Sequence, residues 1–369
     1  MSAMERDRRV KALVESLFAK AAQQAGQVKS GVQPDMRSLF NTTTWGFREI
    51  VLVIAVARLL DPQFRASTGF YGCNPRALYE RCIRPLLREL GVPHRQSGPL
   101  NVAKAAAGIN EEWAAQRRPA PVAAAAVRLV GRIEQMSPQE LQHFAVALCG
   151  MFLREASRIA ELTVLVPPES DIGLLYETCC ALVQGVPDAG NTPQRIVGLL
   201  LQTYHAALGT GVAVMGGEDR ASVTSTTSKK AGDIVEAGGG GLIIRVYEVT
   251  VKPFGESRMQ ESSSSLVAYN EATGQQVGEV VVLCREDDCP SKLDGGQTEE
   301  GYYGQREYQG VVYQFFDLFQ WLAGQLVRMP AAARLGFWQH LQEYVSEPGT
   351  AEKVKLLWAE LQRDELSRE

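Results

Sequence analysis

The strand-forming run Leu242 to Lys252, LIIRVYEVTVK, is the feature of the sequence that most constrains the fold. Its residues are β-branched, aromatic and nearly all apolar, which is typical of a central strand that is buried on both faces. Four glycines, Gly238 to Gly241, precede this run and follow the segment GDIVEA. The sequence therefore predicts two antiparallel strands joined by a tight glycine turn. A second apolar run, Gly278 to Cys284, predicts another buried strand, and Glu256 to Asn270 predicts a helix before it.

The chain on the N-terminal side of this hairpin has the spacing of helices almost throughout. Apolar residues recur at three- and four-residue steps from Glu5 to about Ala25, as in an amphipathic helix. Further helices are predicted over residues 47–60, 76–90, 171–185 and 193–209, with two more between 121 and 165. After an acidic, glycine-rich loop over 285–305, the tail from Tyr308 to about Leu366 is also predicted to be helical.

These patterns predict an α/β protein in which a small mixed sheet is flanked by helices and follows a large, mostly α-helical N-terminal portion. We expect three regions along the chain. They are a mostly helical portion over 1–208, an α/β core over 209–290, and an acidic loop with C-terminal helices over 291–369 that pack on the core.

The composition is that of a globular protein, with 45% hydrophobic and 22% charged residues. No apolar run is long enough to span a bilayer, and the N-terminus lacks the uninterrupted apolar segment of a secretory signal. The seven cysteines and four histidines are scattered, which favours reduced thiols and argues against a zinc site. We therefore expect a cytoplasmic protein that has no membrane partner.

The net charge of −4 conceals an asymmetry between two parts of the chain. Residues 1–120 contain 18 Lys or Arg and 10 Asp or Glu, a net charge of +8, so the remaining residues carry −12. A basic N-terminal third would suit contact with a phosphate backbone. Charge alone equally allows solvated helix faces that have no partner.

Three of the ionisable side chains of the hairpin are placed where they could form a site. Because side chains on a strand alternate between its faces, Glu248 and Lys252 share one face near the end of LIIRVYEVTVK. If the glycines form the turn, Asp233 lies opposite Glu248 on the neighbouring strand. Two facing carboxylates repel each other, and a divalent cation would turn them into a ligand pair. Asp, Glu and Lys in this arrangement indicate metal-dependent phosphodiester hydrolysis, and the alternative is a structural ion pair.

The spacing of these residues is similar to that of a nuclease family. GDI, a gap and EVTVK resemble the active-site segment of the SacI-like type II restriction endonucleases of the PD-(D/E)xK superfamily, which read GDV, a gap, then EV, two residues and Lys. The segments NPRALYERCIRPLLRELGVPHRQSGPLNVAK and VVYQFFDLFQWL are similar to two other regions of that family, in the same order. The resemblance implies a PD-(D/E)xK nuclease core, with Asp233 and Glu248 as ligands of Mg²⁺ and Lys252 as the catalytic lysine.

The sequence departs from the common pattern of that superfamily at one position. The second acid usually lies two residues before the lysine, where this chain has Thr250. Either Glu248 takes the ligand role from two residues further back, or the helix after the strand supplies the acid through Glu256 or Glu261.

Basic and amide side chains outside the hairpin are the candidates for contact with DNA. The set comprises Arg76, Arg81, Arg84, Arg88, Arg95, Gln96, Asn101 and Lys104, from the predicted helix 76–90 and the loop after it, and Lys229 and Lys230 before Asp233. Arg81, Arg84 and Arg88 step by three and four residues and would share a helical face. Arg pairs with guanine and Asn or Gln with adenine, so the loop around Arg95 is the candidate for reading bases. A solvated helix face and a flexible linker are the alternatives.

The resemblance implies a type II restriction endonuclease that uses Mg²⁺ to hydrolyse double-stranded DNA at a specific, palindromic site. Because the two strands of a duplex run antiparallel, a two-fold symmetric homodimer would give each strand its own active site. A cognate DNA methyltransferase is expected in the same system, since the enzyme would otherwise cut its host. The alternatives are a repair or recombination nuclease that recognises DNA structure, and a non-catalytic DNA-binding protein.

Overall fold

The chain folds into two compact units. The computed structural model describes residues 3–23, 32–95, 97–218, 230–298 and 301–366. The first unit runs to Leu162 and includes Glu347–Thr350, and the second runs from Thr163 to Ser346 and continues from Ala351. The first unit therefore ends before the predicted boundary at residue 208, because the two helices after Leu162 share a hydrophobic core with the sheet.

The described part of the first unit is helical. Its α-helices are α1 (Ala3–Gln23), α2 (Gln33–Phe40), α3 (Gly46–Leu60), α4 (Ala66–Gly69), α5 (Pro75–Leu78), α6 (Arg84–Glu89), α7 (Leu100–Ala103), α8 (Glu111–Ala115), α9 (Ala120–Gln135) and α10 (Pro138–Ala160). A 3₁₀ turn covers Phe70–Cys73 and a π-helical turn covers Tyr79–Ile83. All of the residues Gly46–Ala57 are buried, because α3 packs against α9 and α10 in the centre of this core.

Two charged residues of α3, Arg48 and Glu49, are fully buried in this core. Arg48 Nη2 donates to the Pro93 carbonyl at 2.7 Å, and Arg95 N donates to Glu49 Oε1 at 2.6 Å. The Tyr79 hydroxyl also donates to Glu49 Oε1, at 3.0 Å. These bonds tie the segment after α6 to α3 and give the buried charges polar partners.

The predicted helix 76–90 is divided by the π-helical turn Tyr79–Ile83. Pro85 explains the division, because proline has no N–H with which to close the α-helical bond to the residue four places before it, Arg81. The helix ends at Gly91, whose φ of +65° is the left-handed conformation that favours glycine.

The second unit contains a six-stranded mixed sheet within the described residues. Its strands are β1 (Ala213–Met215), β2 (Ile234–Ala237), β3 (Ile243–Val249), β4 (Glu279–Cys284), β5 (Tyr302–Tyr308) and β6 (Val311–Asp317). They are ordered β1-β2-β3-β4-β6-β5. Strand β3 is parallel to β4 and β4 to β6, whereas the other neighbours are antiparallel. The prediction of an α/β protein with a mixed sheet and much helix is confirmed.

Helices cover both faces of this sheet. They are α11 (Ile172–Gly185), α12 (Asn191–Leu208), α13 (Glu256–Thr273), α14 (Leu318–Arg328), α15 (Ala331–Ser346) and α16 (Glu352–Leu366), with 3₁₀ turns at Asp188–Gly190, Gly239–Gly241 and Glu286–Asp288. Ile234 and Tyr247 pack with α11, α12 and α14 to α16 on one face, and Val246 packs with α13 on the other. Among the described residues, no helix combines the length and apolar character needed to cross a membrane.

The prediction that the tail is helical from Tyr308 is wrong for its first part. Tyr302–Tyr308 and Val311–Asp317 form a β-hairpin, and the first of these strands also occupies the end of the predicted acidic loop. Val311, Tyr313 and Phe315 are buried and alternate with more exposed residues, which is the period of two that a strand requires. The two-residue turn at Gln309 and Gly310 has positive φ at both positions, as hairpin turns favour.

Candidate active site

The glycine turn brings Asp233 beside Glu248. Strands β2 and β3 pair Ile234 with Tyr247 and Val235 with Val246, so the same register puts Asp233 opposite Glu248. Gly238 N donates to the Leu242 carbonyl at 2.8 Å and closes the turn, in which Gly240 and Gly241 have positive φ.

The backbone of both strands fixes the Asp233 carboxyl group at this position. Asp233 N donates to the Tyr247 carbonyl at 3.0 Å, and Val249 N donates to Asp233 Oδ2 at 3.1 Å. The carboxyl group therefore takes the place of a backbone acceptor at the point where the strand pairing ends.

The two carboxyl groups face each other across the strand pair in a poorly solvated site. Glu248 is 5% exposed and Asp233 is half-buried. Burial raises the pKa of both groups, and the neighbouring charge of Asp233 raises the pKa of Glu248 further. Without a cation, the site therefore favours the protonated form of Glu248 at neutral pH.

Helix α13 contributes two polar side chains that face Glu248. Arg258 Nη2 lies 3.5 Å from Glu248 Oε2, and the Ser262 hydroxyl donates to Glu248 Oε1 at 3.1 Å. Arg258 and Ser262 are four residues apart and so lie on the same face of the helix. Half-buried Lys230 adds a second positive charge, which acts on Asp233 and lowers the pKa of that carboxyl group against the effect of burial.

Lys252 lies in a turn after β3, since the strand ends at Val249. The Thr250 hydroxyl accepts from Lys252 N at 3.1 Å and donates to the Lys252 carbonyl at 2.9 Å, so this side chain replaces the strand pairing with a local turn. Lys252 is exposed. It reaches the cleft through this turn. The sequence had suggested that strand alternation would place Lys252 on the same face as Glu248, but the strand ends before Lys252.

Asp233, Lys252 and Arg258 line one small cleft of about 30 Å³. The remaining lining residues are Ala189, Gly190, Val249, Thr250 and Val251. The volume suffices for an ordered water molecule or a small cation.

The loop after β4 holds the turn that carries Lys252. Arg285 Nη2 donates to the Val251 carbonyl at 2.7 Å, and Phe254 N donates to the Asp288 carbonyl at 2.8 Å. Arg285 Nε also donates to Asp288 Oδ2 at 2.6 Å, which joins the two contacts into one brace.

The two alternative acids are on the outer surface of α13. Glu256 is 70% exposed and accepts a hydrogen bond from Arg306 at 2.7 Å, and Glu261 is exposed. Buried Glu236 of β2 belongs to the opposite face of the sheet, where it contacts His205 at 2.8 Å and Tyr247 at 3.2 Å. Glu248 is therefore the acid that the structure places beside Asp233.

The donor set of this pair fits Mg²⁺. The described residues contain no group of three or more His, Cys, Asp or Glu side chains that could hold a metal ion. Mg²⁺ is commonly bound by one or two carboxylates together with water and substrate phosphates, so a pair of facing carboxyl groups is a donor set that this ion accepts. A divalent cation would also offset the charge of Asp233 that raises the pKa of Glu248.

No known family model matches the chain, and no curated protein matches it either.

The candidate DNA-binding residues of the first unit are spread over α5, α6, α7 and the segment around Arg95. Arg76 pairs with Glu80 at 3.5 Å, and Arg81 pairs with Asp7 at 3.3 Å. Arg88, Asn101 and Lys104 are exposed, and Arg84 is half-buried. Gln96 of this set, and Lys229 of the second unit, lie outside the described residues.

Arg95 is held more firmly than a flexible recognition side chain would be. Its guanidinium lies 4.5 Å from the centre of the Trp45 ring and donates to the Thr43 carbonyl at 3.4 Å. Its backbone is bound to Glu49 and Tyr79. The segment around Arg95 is therefore preorganised by the buried charges of α3.

Sequence reasoning missed Arg258 and Ser262 as parts of the site. The available signal was their spacing of four residues on the helix that follows the acidic strand. Their direction towards Glu248 depends on how α13 packs on the sheet, which the sequence pattern does not specify.

Proposed function

We propose that this chain is a Mg²⁺-dependent endonuclease that hydrolyses phosphodiester bonds of double-stranded DNA at a specific, palindromic site, as type II restriction endonucleases do. The observation that carries the proposal is the placement of buried Glu248 opposite half-buried Asp233, where Asp233 lines a cleft together with Lys252 and Arg258. Two acids and a lysine at the end of a strand hairpin are suited to metal-assisted hydrolysis of an anionic ester.

The fold supports a nuclease core of the PD-(D/E)xK type. The hairpin β2–β3 is followed by α13 and by β4, which is parallel to β3, and the acids lie on the hairpin. A small mixed sheet flanked by helices is what the resemblance to the SacI-like enzymes implies for the catalytic part of the chain.

Each side chain of the site has a separate task in this proposal. Asp233 and Glu248 hold Mg²⁺, which, when bound, polarises the scissile phosphate and lowers the pKa of a coordinated water. The Val249 amide and the Ser262 hydroxyl keep the two carboxyl groups in place. Lys252, which is exposed at the cleft, orients the attacking water and stabilises the negative charge that develops on the phosphate.

The proposal extends to the partners of the enzyme. The positive charge of residues 1–120 provides contact with the DNA backbone through the exposed arginines and lysines of the first unit. A homodimer supplies one site for each strand, and a methyltransferase of the same specificity protects the host DNA. Such an enzyme acts in the cytoplasm.

Incubation of phage DNA with the protein in MgCl₂, and in parallel with EDTA, tests this function. Discrete fragments in MgCl₂ that disappear in EDTA are expected. A smear or nicked circles would replace the proposal with a structure-specific repair nuclease, and DNA that stays intact while it is bound would replace it with a non-catalytic DNA-binding protein. The variant Asp233→Ala should bind DNA in Ca²⁺ and not cut it, whereas Glu271→Ala, an exposed acid at the end of α13, should cut normally.

A further inference from the structure

Arg258 is a positively charged side chain beside the carboxyl pair. The proposed reaction has so far given this side chain no role. It lies in the first turn of α13, with Nη2 3.5 Å from Glu248 Oε2. Its guanidinium packs over the Phe254 ring at 5.6 Å, which fixes the plane of the group. The side chain is 40% exposed and lines the cleft together with Asp233 and Lys252.

The contact with Glu248 is made through one nitrogen atom of this guanidinium group, Nη2. An arginine has five N–H donors in a planar fork that suits two oxygens of a carboxylate or a phosphate. At 3.5 Å the contact is long for a charge-assisted hydrogen bond, which is normally below 3 Å. The geometry is therefore that of a cation held near its partner at the wall of a cleft.

Arg258 and a divalent cation would act on the same carboxylate. Without metal, the guanidinium compensates part of the negative charge of Glu248, and it also acts on Asp233. With metal held by the two carboxylates, this compensation is no longer needed, and the guanidinium at the cleft becomes available to another anion. The anion that the proposed reaction brings there is the phosphate of the substrate.

We propose that Arg258 is a catalytic residue that donates hydrogen bonds to non-bridging oxygens of the scissile phosphate, and that it pairs with Glu248 in the metal-free enzyme. The inference rests on the proposed nuclease function. It gives Arg258 two partners in turn, so a single substitution should move metal binding and cleavage in opposite directions.

Calorimetric titration with Mg²⁺ at pH 8.5, without DNA, measures the first effect. Arg258→Met removes a positive charge beside the carboxyl pair and should tighten Mg²⁺ binding by about tenfold, since like charges a few ångströms apart repel. Single-turnover cleavage by the same variant should fall by about 10²- to 10³-fold, as is found when one donor to a developing negative charge is removed. Arg258→Lys keeps the charge, so its Mg²⁺ affinity should match the wild type, while its cleavage remains reduced because the fork is lost.

Arg306→Met is the matched control. It removes an arginine that pairs with Glu256 of the same helix away from the cleft, and it should change neither Mg²⁺ affinity nor cleavage. Full-rate cleavage by Arg258→Met would overturn the inference alone. Weakened Mg²⁺ binding together with slow cleavage would show that Arg258 is only a structural partner of Glu248. If Arg258→Met does not fold, the same two measurements on Arg258→Lys make this distinction. A wild-type protein that binds Mg²⁺ and cuts no DNA would overturn the proposed function and the inference with it.

Discussion

At the scale of single residues, the site contains two facing carboxyl groups, and a bound metal ion would offset the repulsion between their charges. Asp233 and Glu248 are brought together by strand pairing, and burial with mutual repulsion raises the pKa of Glu248. A carboxyl group whose pKa is raised in the folded state contributes its full stability below its unfolded pKa and loses it as the pH rises through the folded pKa. The folded protein without metal should therefore become less stable as the pH rises from about 4.5, the ordinary pKa of Glu, to about 8, the pKa of Glu248.

Glu248→Gln tests this account. The amide keeps an acceptor for Ser262 and removes a charge, so the variant should melt at a higher temperature than the wild type in EDTA at pH 9, by a few degrees. The difference should shrink at pH 5, where Glu248 of the wild type is protonated. Thermal unfolding followed by circular dichroism measures both, with Glu271→Gln as a control that should not change. A variant less stable than the wild type at pH 9 would show that the carboxylate is stabilising.

Glu49 provides a second pH-dependent contribution, in the first unit. Burial raises the pKa of Glu49 to about 7. Its contribution to stability is fully present below the unfolded pKa and is lost as the pH rises towards 7. The cost at pH 8 is at most about 3 kcal/mol by linkage. In urea unfolding, Glu49→Gln should abolish much of the loss between pH 5 and 8, and parallel pH profiles of the two proteins would contradict the assignment.

The sequence allowed part of the site to be predicted. The midpoint between Asp233 and Glu248 falls inside the glycine run, so a tight turn there brings the two residues together. The position of Lys252 was not predictable from strand alternation, because the Thr250 hydroxyl competes for the backbone and ends the strand. Arg258 could not be assigned because its direction depends on tertiary packing.

At the scale of elements, one loop supports another. The loop Arg285–Cys289 follows β4 and holds the turn of Lys252 through Arg285 and Asp288. Since β3 and β4 are parallel, their C-terminal ends meet at the same edge of the sheet, and both loops lie there. Lys252 is thereby positioned by the loop that follows β4, a strand that carries neither Asp233 nor Glu248.

Arg285→Ala should therefore impair catalysis through the position of Lys252. We expect kcat to fall by about tenfold, since small displacements of reacting groups are costly, while Mg²⁺ affinity stays unchanged because both acids remain in place. Arg285→Lys should recover part of the rate by donating to the Val251 carbonyl. A loss of Mg²⁺ affinity in Arg285→Ala would show instead that the loop supports the carboxyl pair.

The elements that the sequence predicted least well are those whose pattern allows two structures. VVYQFFDLFQWL contains apolar residues at both strand and helix spacing, and the chain changes from β6 to α14 within it, at Asp317. Strands β3, β4 and helix α13 were predictable because their patterns are long and their ends are marked by glycines.

At the scale of the whole molecule, the uneven charge of the chain should govern its affinity for DNA. Each phosphate contact that is lost should reduce the slope of log K against log salt by about 0.9. The triple variant Arg81→Ala, Arg84→Ala, Arg88→Ala should thus have a shallower slope in fluorescence anisotropy with a DNA duplex in Ca²⁺. Arg81 pairs with Asp7, so part of its charge is already compensated in the free protein. An unchanged slope would show that this helix is a solvated surface without a role in binding.

The central claim, a metal-dependent nuclease site at Asp233 and Glu248, is tested most directly by comparing the wild type with Glu248→Gln on phage DNA. We predict that the wild-type protein releases discrete fragments in the presence of MgCl₂. We predict that Glu248→Gln, which should fold at least as stably, releases none. Equal cleavage by the two proteins, or intact DNA with both in the presence of Mg²⁺, would contradict the claim.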